Sequence, residues 1–399
     1  MNLRWLCLLD VLRIACAGDV DPHALLARVR AKAAEDSTRI PRYVCRQRIQ
    51  RQVFEDPKKI SGCAGILAEP AAKLRLASQD QAKLDVMLAD DHEFFSWPGR
   101  HRFDVKSQAE LLVGGTAGSG DFASFRMDIL GLDSVSMDYA GSCGDACARF
   151  RYSVPHGASG YVLRNSAGTF TVAYHGTFDV DPRSAGMLRL SVIAGEFPVV
   201  QPEVCAIRTQ IDYASSSSGA GNFTIPSITQ KSLVLGDGSH FETRVAYEQC
   251  REFSSESVVT FAEDPATSTP SARPAPPGPA PLSEFEVQLV STIDSEKSFA
   301  GEALEAALMR PIHDSTSREI PAGTIVRGHL AQIERVFAPR KAIVIAIRFD
   351  AMVLSGVEVP LALEPEGRSD ARGHGVFVFP GSRIVLDKKF TSWWRVIAP

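Results

Sequence analysis

The sequence predicts a mainly β protein: an N-terminal curved antiparallel half-barrel with a few helices, a Pro-rich linker, and a small C-terminal β-barrel or sandwich. Apolar and polar residues alternate in many short runs, the pattern of strands with one buried face. The 399 residues include 30 Gly and 24 Pro, which is typical of frequent turns. This length is sufficient for two or three domains, each with its own core.

Residues 1–18 have the features of an export signal. Arg4 precedes a short apolar stretch, and residues 15–17 (ACA) supply the small side chains that an export peptidase requires. Asp10 and Arg13 interrupt the apolar stretch, so a first helix or a misassigned start codon are the alternatives. We expect removal of this segment and a periplasmic or secreted protein.

Cysteine usage agrees with export. Of the eight cysteines, Cys7 and Cys16 would be removed with the signal, which leaves six: Cys45, Cys63, Cys143, Cys147, Cys205 and Cys250. An even number in an exported chain predicts disulfides, whose connectivity the sequence leaves open.

Loop closure costs least entropy between near neighbours, which favours Cys45–Cys63, Cys143–Cys147 and Cys205–Cys250. Six reduced, buried thiols in a cytosolic protein are the alternative. A zinc site at Cys143 and Cys147 is disfavoured because no second Cys or His pair follows at ligand spacing.

The clearest domain boundary is at residues 264–282. Seven of these 19 residues are Pro and two are charged, so the segment cannot bury a core and predicts an extended linker. It separates a cysteine-containing domain, residues 20–263, from a cysteine-free domain, residues 283–399.

The first domain begins with a predicted helix from Pro22 to Glu35. A strand over 43–54 follows, in which Tyr43, Cys45, Ile49 and Val53 share one face and Arg46, Arg48, Gln50 and Gln52 share the other. Alternation predicts further strands near 84–88, 93–97, 150–154, 170–180, 188–192 and 241–247, with a short helix near 122–129 and a hairpin turn at 236–238.

The second domain is also rich in strand patterns. Phe285, Val287 and Leu289 alternate with polar residues, and 342–347 is an apolar run typical of a strand buried on both faces. Residues 320–324 predict a turn, and 301–308 predict either a short helix or a strand.

We find no catalytic, cofactor-binding or metal-binding motif, so the sequence predicts a protein that is not an enzyme. His92-Glu93 lacks the second His of a metalloprotease helix, and the glycine-rich loop at 114–120 lacks the lysine of a phosphate-binding loop. No G-x-S-x-G motif occurs. The scattered His175, His240 and His374 predict loop or solvated strand positions, and Asp179 and Asp181 are expected to form turns.

Composition excludes two classes of function. The net charge of −4 argues against nucleic-acid binding, which usually needs a basic excess. No apolar run reaches the roughly 18 residues of a membrane span, so we expect no transmembrane span in the mature chain.

Two features suggest binding. Arg39, Arg42, Arg46, Arg48 and Arg51 form a basic stripe that could meet anionic headgroups or an acidic partner; the alternative is a solvated strand face. Phe94, Phe95 and Trp97 would line an apolar cavity if the sheet curves; the alternative is an ordinary two-sided core.

The first domain resembles the outer-membrane lipoprotein carrier superfamily in outline. The similarity rests on the opening helix, on the Arg- and Gln-rich first strand, on residues 84–98 (LDVMLADDHEFFSWP), and on 178–182 followed by 187–190. This resemblance implies a half-barrel closed by helices and the binding of a lipid or lipoprotein. Residues 292–295 and 319–328 resemble, more loosely, the β-domain of TrbI-type conjugation-channel proteins, which implies only a local β fold.

Together these observations predict an exported bacterial cell-envelope protein that binds a lipid, a lipidated chain or an envelope protein partner. A hydrolase with an unrecognised site and a structural adaptor are the alternatives. A lipid binder predicts a continuous apolar concavity, whereas an enzyme predicts at least two titratable groups within hydrogen-bond reach in one cleft.

Overall fold

The computed structural model describes residues 21–39, 43–56, 62–68, 74–89, 92–100, 103, 105–113, 124–144, 146–165, 168–198, 203–218, 221–252 and 277–397. The predicted signal, the glycine-rich loop at 114–120 and most of the linker lie outside these residues. The described part is mainly β with antiparallel pairing, which confirms the predicted fold class. Among its helices, none has both the length and the apolar character needed to cross a bilayer.

The N-terminal region contains the following described elements. The helices are α1 (Pro22–Arg39), α2 (Cys63–Ala68), α3 (Gln108–Leu111), α4 (Ser124–Gly131) and a 3₁₀ turn (His156–Ala158). The strands are β1 (Tyr43–Glu55), β2 (Arg75–Ala89), β3 (His92–Ser96), β4 (Ser136–Ser142), β5 (Ala148–Val154), β6 (Val162–Asn165), β7 (Gly168–Thr171), β8 (Tyr174–Val180), β9 (Met187–Ala194), β10 (Val204–Ser218), β11 (Gly221–Leu235) and β12 (His240–Glu252).

Ten of these strands form one antiparallel sheet in the order β3-β2-β1-β12-β11-β10-β9-β8-β5-β4. The apolar stripe of α1, which includes Leu25 and Val29, packs with Ile129 of α4 against one face of the sheet. Phe178 and Ile211 are among the buried strand residues that meet these helices. One face of the sheet is therefore covered by a hydrophobic core.

The C-terminal region is built from short and long strands. They are β13 (Glu284–Leu289), β14 (Ile293–Asp294), β15 (Ala303–Leu308), β16 (Ile312–His313), β17 (Glu319–Ile320), β18 (Ile325–Val336), β19 (Ala342–Leu354), β20 (Val357–Pro360), β21 (Leu363–Pro365), β22 (Gly375–Pro380), β23 (Val385–Leu386) and β24 (Thr391–Val396).

These strands enclose a second core around Trp394 and Phe349, whose rings meet edge to face at 5.2 Å. The main pairing order is β22-β19-β18-β15-β13-β24-β21, and in the described chain it does not close into a barrel. Residues 303–308 form a strand, which settles the alternative that the sequence left open.

The two regions meet along the outer edge of β2. Asp80 pairs with Glu334 of β18, while the far end of β2 pairs with β3. Between them, Ala300 donates its N–H to the Gln81 carbonyl at 2.9 Å and accepts from the Lys83 N–H at 2.7 Å. The edge of β2 is thus occupied along its length, which removes an exposed strand edge.

All six cysteines among the described residues are in disulfides, but two of the three predicted pairings are wrong. Cys143–Cys147 forms as predicted. Cys45 bonds to Cys250 and Cys63 bonds to Cys205. The predicted Cys45–Cys63 and Cys205–Cys250 bonds do not form because strand pairing places β1 beside β12, and α2 packs against β10. Spatial proximity in the sheet outweighs short sequence separation.

Candidate functional site

A groove of about 570 Å³ lies on the sheet face opposite the helices. Strands β1, β2 and β9 to β12 form it, and every lining residue has a polar side chain. The lining residues are Gln50, Arg51, Gln52, Gln79, Asp80, Gln81, Ser191, Arg208, Thr209, Gln210, Gln230, Lys231, Ser232, Glu242, Thr243 and Arg244. The volume falls within the range of ligand sites, about 300–1,000 Å³.

The strand register explains this polar floor. Residues directly opposite each other in an antiparallel sheet share a face. One row of such partners crosses six strands from β2 to β9: Gln81, Gln50, Arg244, Gln230, Gln210 and Ser191. A second row beside it comprises Gln79, Gln52, Glu242, Ser232 and Arg208. The row between them, which comprises Asp80, Arg51, Thr243, Lys231 and Thr209, points to the covered face of the sheet.

Positive charge exceeds negative charge in the groove. The side chains of Arg51, Asp80 and Lys231 point to the covered face, where Arg51 Nε donates to Asp80 Oδ1 at 2.8 Å. The charged lining residues on the face of the two rows are Arg208, Arg244 and one carboxylate, Glu242. His240 lies beside it, 3.8 Å from Nε2 to Oε1. Burial lowers the pKa of His240, Glu242 opposes this, and Arg208 lowers it further, so the ring adds little positive charge near neutral pH.

The predicted aromatic cavity residues lie elsewhere. Phe95 is fully buried in the core beneath β1 and β2. Trp97 packs on the His329 ring with centroids 4.9 Å apart, and the Phe94 ring lies 5.9 Å from Lys106 Nζ. None of these three residues is among those that line the groove.

The predicted basic stripe is divided between the two faces of the sheet. Arg46 and Arg48 lie on the groove face, where Arg46 Nε donates to Asp85 Oδ1 at 2.7 Å and Arg48 lies 3.8 Å from Glu248. Arg51 points to the opposite face, because it is one residue out of phase. The Arg39 side chain and Arg42 lie outside the described residues.

His175 lies on a solvated strand as predicted, and His374 lies in a predicted loop position but is not solvated. His175 is exposed on β8. His374 is buried, and its Nδ1 lies 2.8 Å from Asp370 Oδ2. Asp370 also accepts from the backbone N–H of Arg372 and His374, so the pair fastens a turn before β22. Burial lowers the pKa of His374, against the opposing effect of Asp370.

The predicted turn role is confirmed for Asp181 and wrong for Asp179. Asp181 accepts from the Arg183 N–H at 2.9 Å. Asp179 lies in β8 and forms a strand-to-strand ion pair with Arg149. Neither lines the groove, so they do not constitute an acid–base pair there.

Metal binding has little support among the described residues. The two clusters with metal-like spacing are Cys63, Glu203 and Cys205, and Cys143, Cys147 and Asp179. Both contain a disulfide, whose sulfurs are not available as thiolate ligands.

The sequence matches no known protein-family model, and no curated protein is significantly similar to it. The resemblance to lipoprotein carriers therefore stays a prediction. The groove residues of β10 to β12 were not predicted as a site. The only signal for them in the sequence is Gln and Arg alternating with apolar residues, which also describes an ordinary solvated strand.

Proposed function

We propose that this chain is an exported cell-envelope protein that binds a partner in the polar groove and catalyses no reaction. The observation that carries the proposal is the groove itself: a concave, polar, positively biased surface on the one sheet face that no helix of the described chain covers. The three disulfides support an oxidising compartment, where such bonds persist.

A polar partner fits this surface better than an acyl chain does. A lipid tail gains binding free energy by leaving water for an apolar surface. The groove offers it amides, hydroxyls and charges, whose desolvation would cost free energy. An envelope protein is accordingly the favoured partner, and a lipid or lipoprotein the alternative.

The proposal is tested on protein exported to an oxidising compartment and purified without detergent. Native mass spectrometry should show that the protein is six hydrogens lighter before reduction than after it, as three disulfides require. Hydrogen exchange is then measured with phospholipid vesicles, peptidoglycan fragments and envelope proteins in turn. We expect protection in β1 and β10 to β12 with a polar component.

Ser232→Trp, which would fill the groove, should abolish the protection. Ser153→Trp is the matched control, because Ser153 is exposed on the same sheet face outside the groove. Protection that survives Ser232→Trp, or no protection by any component, contradicts the proposal. Turnover of a component would instead support the hydrolase alternative.

A further inference from the structure

We propose that the groove takes an extended acidic peptide segment of a partner protein, whose carboxylates bind Arg208 and Arg244. This inference rests on the proposed function and specifies the chemistry of its partner.

The groove has a local excess of positive charge. Among the lining residues whose side chains point into the groove, Arg208 and Arg244 accompany a single carboxylate, Glu242. The whole chain has a net charge of −4, so this excess of positive charge is local. A local field of this sign raises the concentration of anionic groups at the surface.

The two arginines differ from their neighbours on the same face. Arg46, Arg149 and Arg189 each bind an aspartate of an adjacent strand, at 2.6 to 2.7 Å. Arg208 and Arg244 are exposed, and within the described residues neither has an acidic partner within 4 Å. Their guanidinium groups are thus open to a carboxylate, which a guanidinium binds with two parallel hydrogen bonds.

The remaining floor favours a peptide over a glycan or a nucleic acid. Gln50, Gln230 and Gln210 follow one row, and each carboxamide can both donate to and accept from a peptide group. The Gln81 amide, at the end of this row, already donates to the Ser298 carbonyl at 2.7 Å. Among the described residues no aromatic side chain lines the groove, so these offer bases and sugar rings no surface on which to stack. The backbone N–H and C=O groups of β1 and β10 to β12 pair with neighbouring strands on both sides, so side chains must recognise the peptide.

The distances between the groove residues indicate the length of the peptide and the separation of its two carboxylates. From Gln50 on β1 to Ser191 on β9 the row crosses five strands, about 19 Å, which an extended peptide spans in about six residues. Arg208 and Arg244 lie two strands and two residues apart, about 12 Å, or about four residues of extended peptide. Glu242 lies beside Arg244 on β12 and in the row of Arg208, so the residues between the two carboxylates of the peptide should be neutral.

The test is calorimetric titration of the full chain with a capped hexapeptide that has Glu at its first and fifth positions and Ser or Gln elsewhere. Two comparison peptides have Gln in both places, or both Glu side by side. We expect the first peptide to bind most tightly, and raising NaCl to about 0.5 M to weaken it. Arg208→Gln and Arg244→Gln should each weaken binding at least about ten-fold.

Arg310→Gln is the matched control, because Arg310 is equally exposed, follows β15 and does not line the groove. Its affinity should match that of the unmodified chain. Equal binding of the Gln peptide, or no effect of Arg208→Gln and Arg244→Gln, overturns the proposal. If oligogalacturonate binds more tightly than the acidic hexapeptide and protects β10 to β12 from hydrogen exchange, the peptide proposal is wrong, but the groove is still a binding site. If no envelope component protects the groove, the proposed function fails as well.

Discussion

Arg51 and Asp80 face each other across β1 and β2 on the covered side of the sheet, and both side chains are largely buried. Burial raises the pKa of Asp80, while the hydrogen bond and the charge of Arg51 act against this rise. Arg51 also donates to the Val113 carbonyl at 2.9 Å. A buried pair of this kind stabilises little by itself, but the loss of one partner leaves a charge without compensation.

Arg51→Gln should therefore lower the free energy of unfolding by about 3–5 kcal/mol at pH 7. Without the cation, the folded-state pKa of Asp80 rises further above its unfolded value, so the folded state takes up a proton more readily. The loss in free energy of unfolding caused by Arg51→Gln should then become smaller as the pH falls from 7 to about 5. Urea denaturation at the two pH values measures it.

Asp80→Asn in the same background provides the control for this effect. The double variant should show a deficit that no longer depends on pH over this range, because the titrating group is gone. A deficit of Arg51→Gln that is the same at both pH values would contradict a buried, titrating Asp80.

At the scale of elements, the sequence predicts which face of a strand is buried better than it predicts which strand lies beside it. Strict alternation in β1 correctly places Cys45 and Ile49 in the core and Gln50 on the other face. β10 and β11 were not predicted, because the run from Ser215 to Ser218 is typical of a turn or linker. The groove depends on both strands and on their register with β12, which no local pattern contains.

The disulfides depend on the same strand neighbours. Cys45–Cys250 fastens β1 to β12, and Cys63–Cys205 fastens α2 to the start of β10. These bonds close loops of 205 and 142 residues, so both restrict the unfolded chain strongly.

Loss of Cys63–Cys205 in a Cys63→Ser, Cys205→Ser double variant should destabilise the protein by about 2–5 kcal/mol. Loss of Cys143–Cys147, whose sequence separation is four, should cost less, because the loop is short. Thermal denaturation of both variants measures the difference. Proteolytic mapping without reduction must recover the linked peptides 45/250 and 63/205; a 45/63 peptide would contradict this arrangement.

At the scale of the whole molecule, the edge of β2 joins the two regions through backbone and side chains. Lys83 Nζ lies 2.8 Å from Glu302 Oε1, and both Lys83 and Arg48 lie over the Phe299 ring. Across the same junction, Arg100 pairs with Asp350, whose carboxylate is 3.6 Å from His329 Nδ1.

The Asp350 carboxylate makes this junction sensitive to acid. Burial alone would raise the pKa of Asp350, but His329 and Arg100 together hold it below its ordinary value. This contribution to stability is present above the unfolded pKa of Asp350 and is lost as the pH falls through the lower folded value. The sequence could not predict the junction, because its partners are more than 200 residues apart.

Gly301 is the position at which this junction is most sensitive to substitution. Its φ is +92°, and its N–H donates to the Leu330 carbonyl at 2.6 Å. A Cβ atom there would overlap the Lys83 carbonyl and lie 2.8 Å from the Trp97 ring. Gly301→Ala should therefore cost about 1–3 kcal/mol through overpacking and weaken the contact between the regions.

Calorimetry distinguishes this effect from backbone strain alone. We expect the unmodified chain to unfold in one transition, since its regions share the edge of β2, and Gly301→Ala to separate the transition into two. Gly323→Ala is the control: Gly323 also has a positive φ, +83°, but a Cβ there meets no atom within 4 Å. Two transitions in the unmodified chain, or equal effects of both substitutions, would mean that the β2 edge does not couple the two cores.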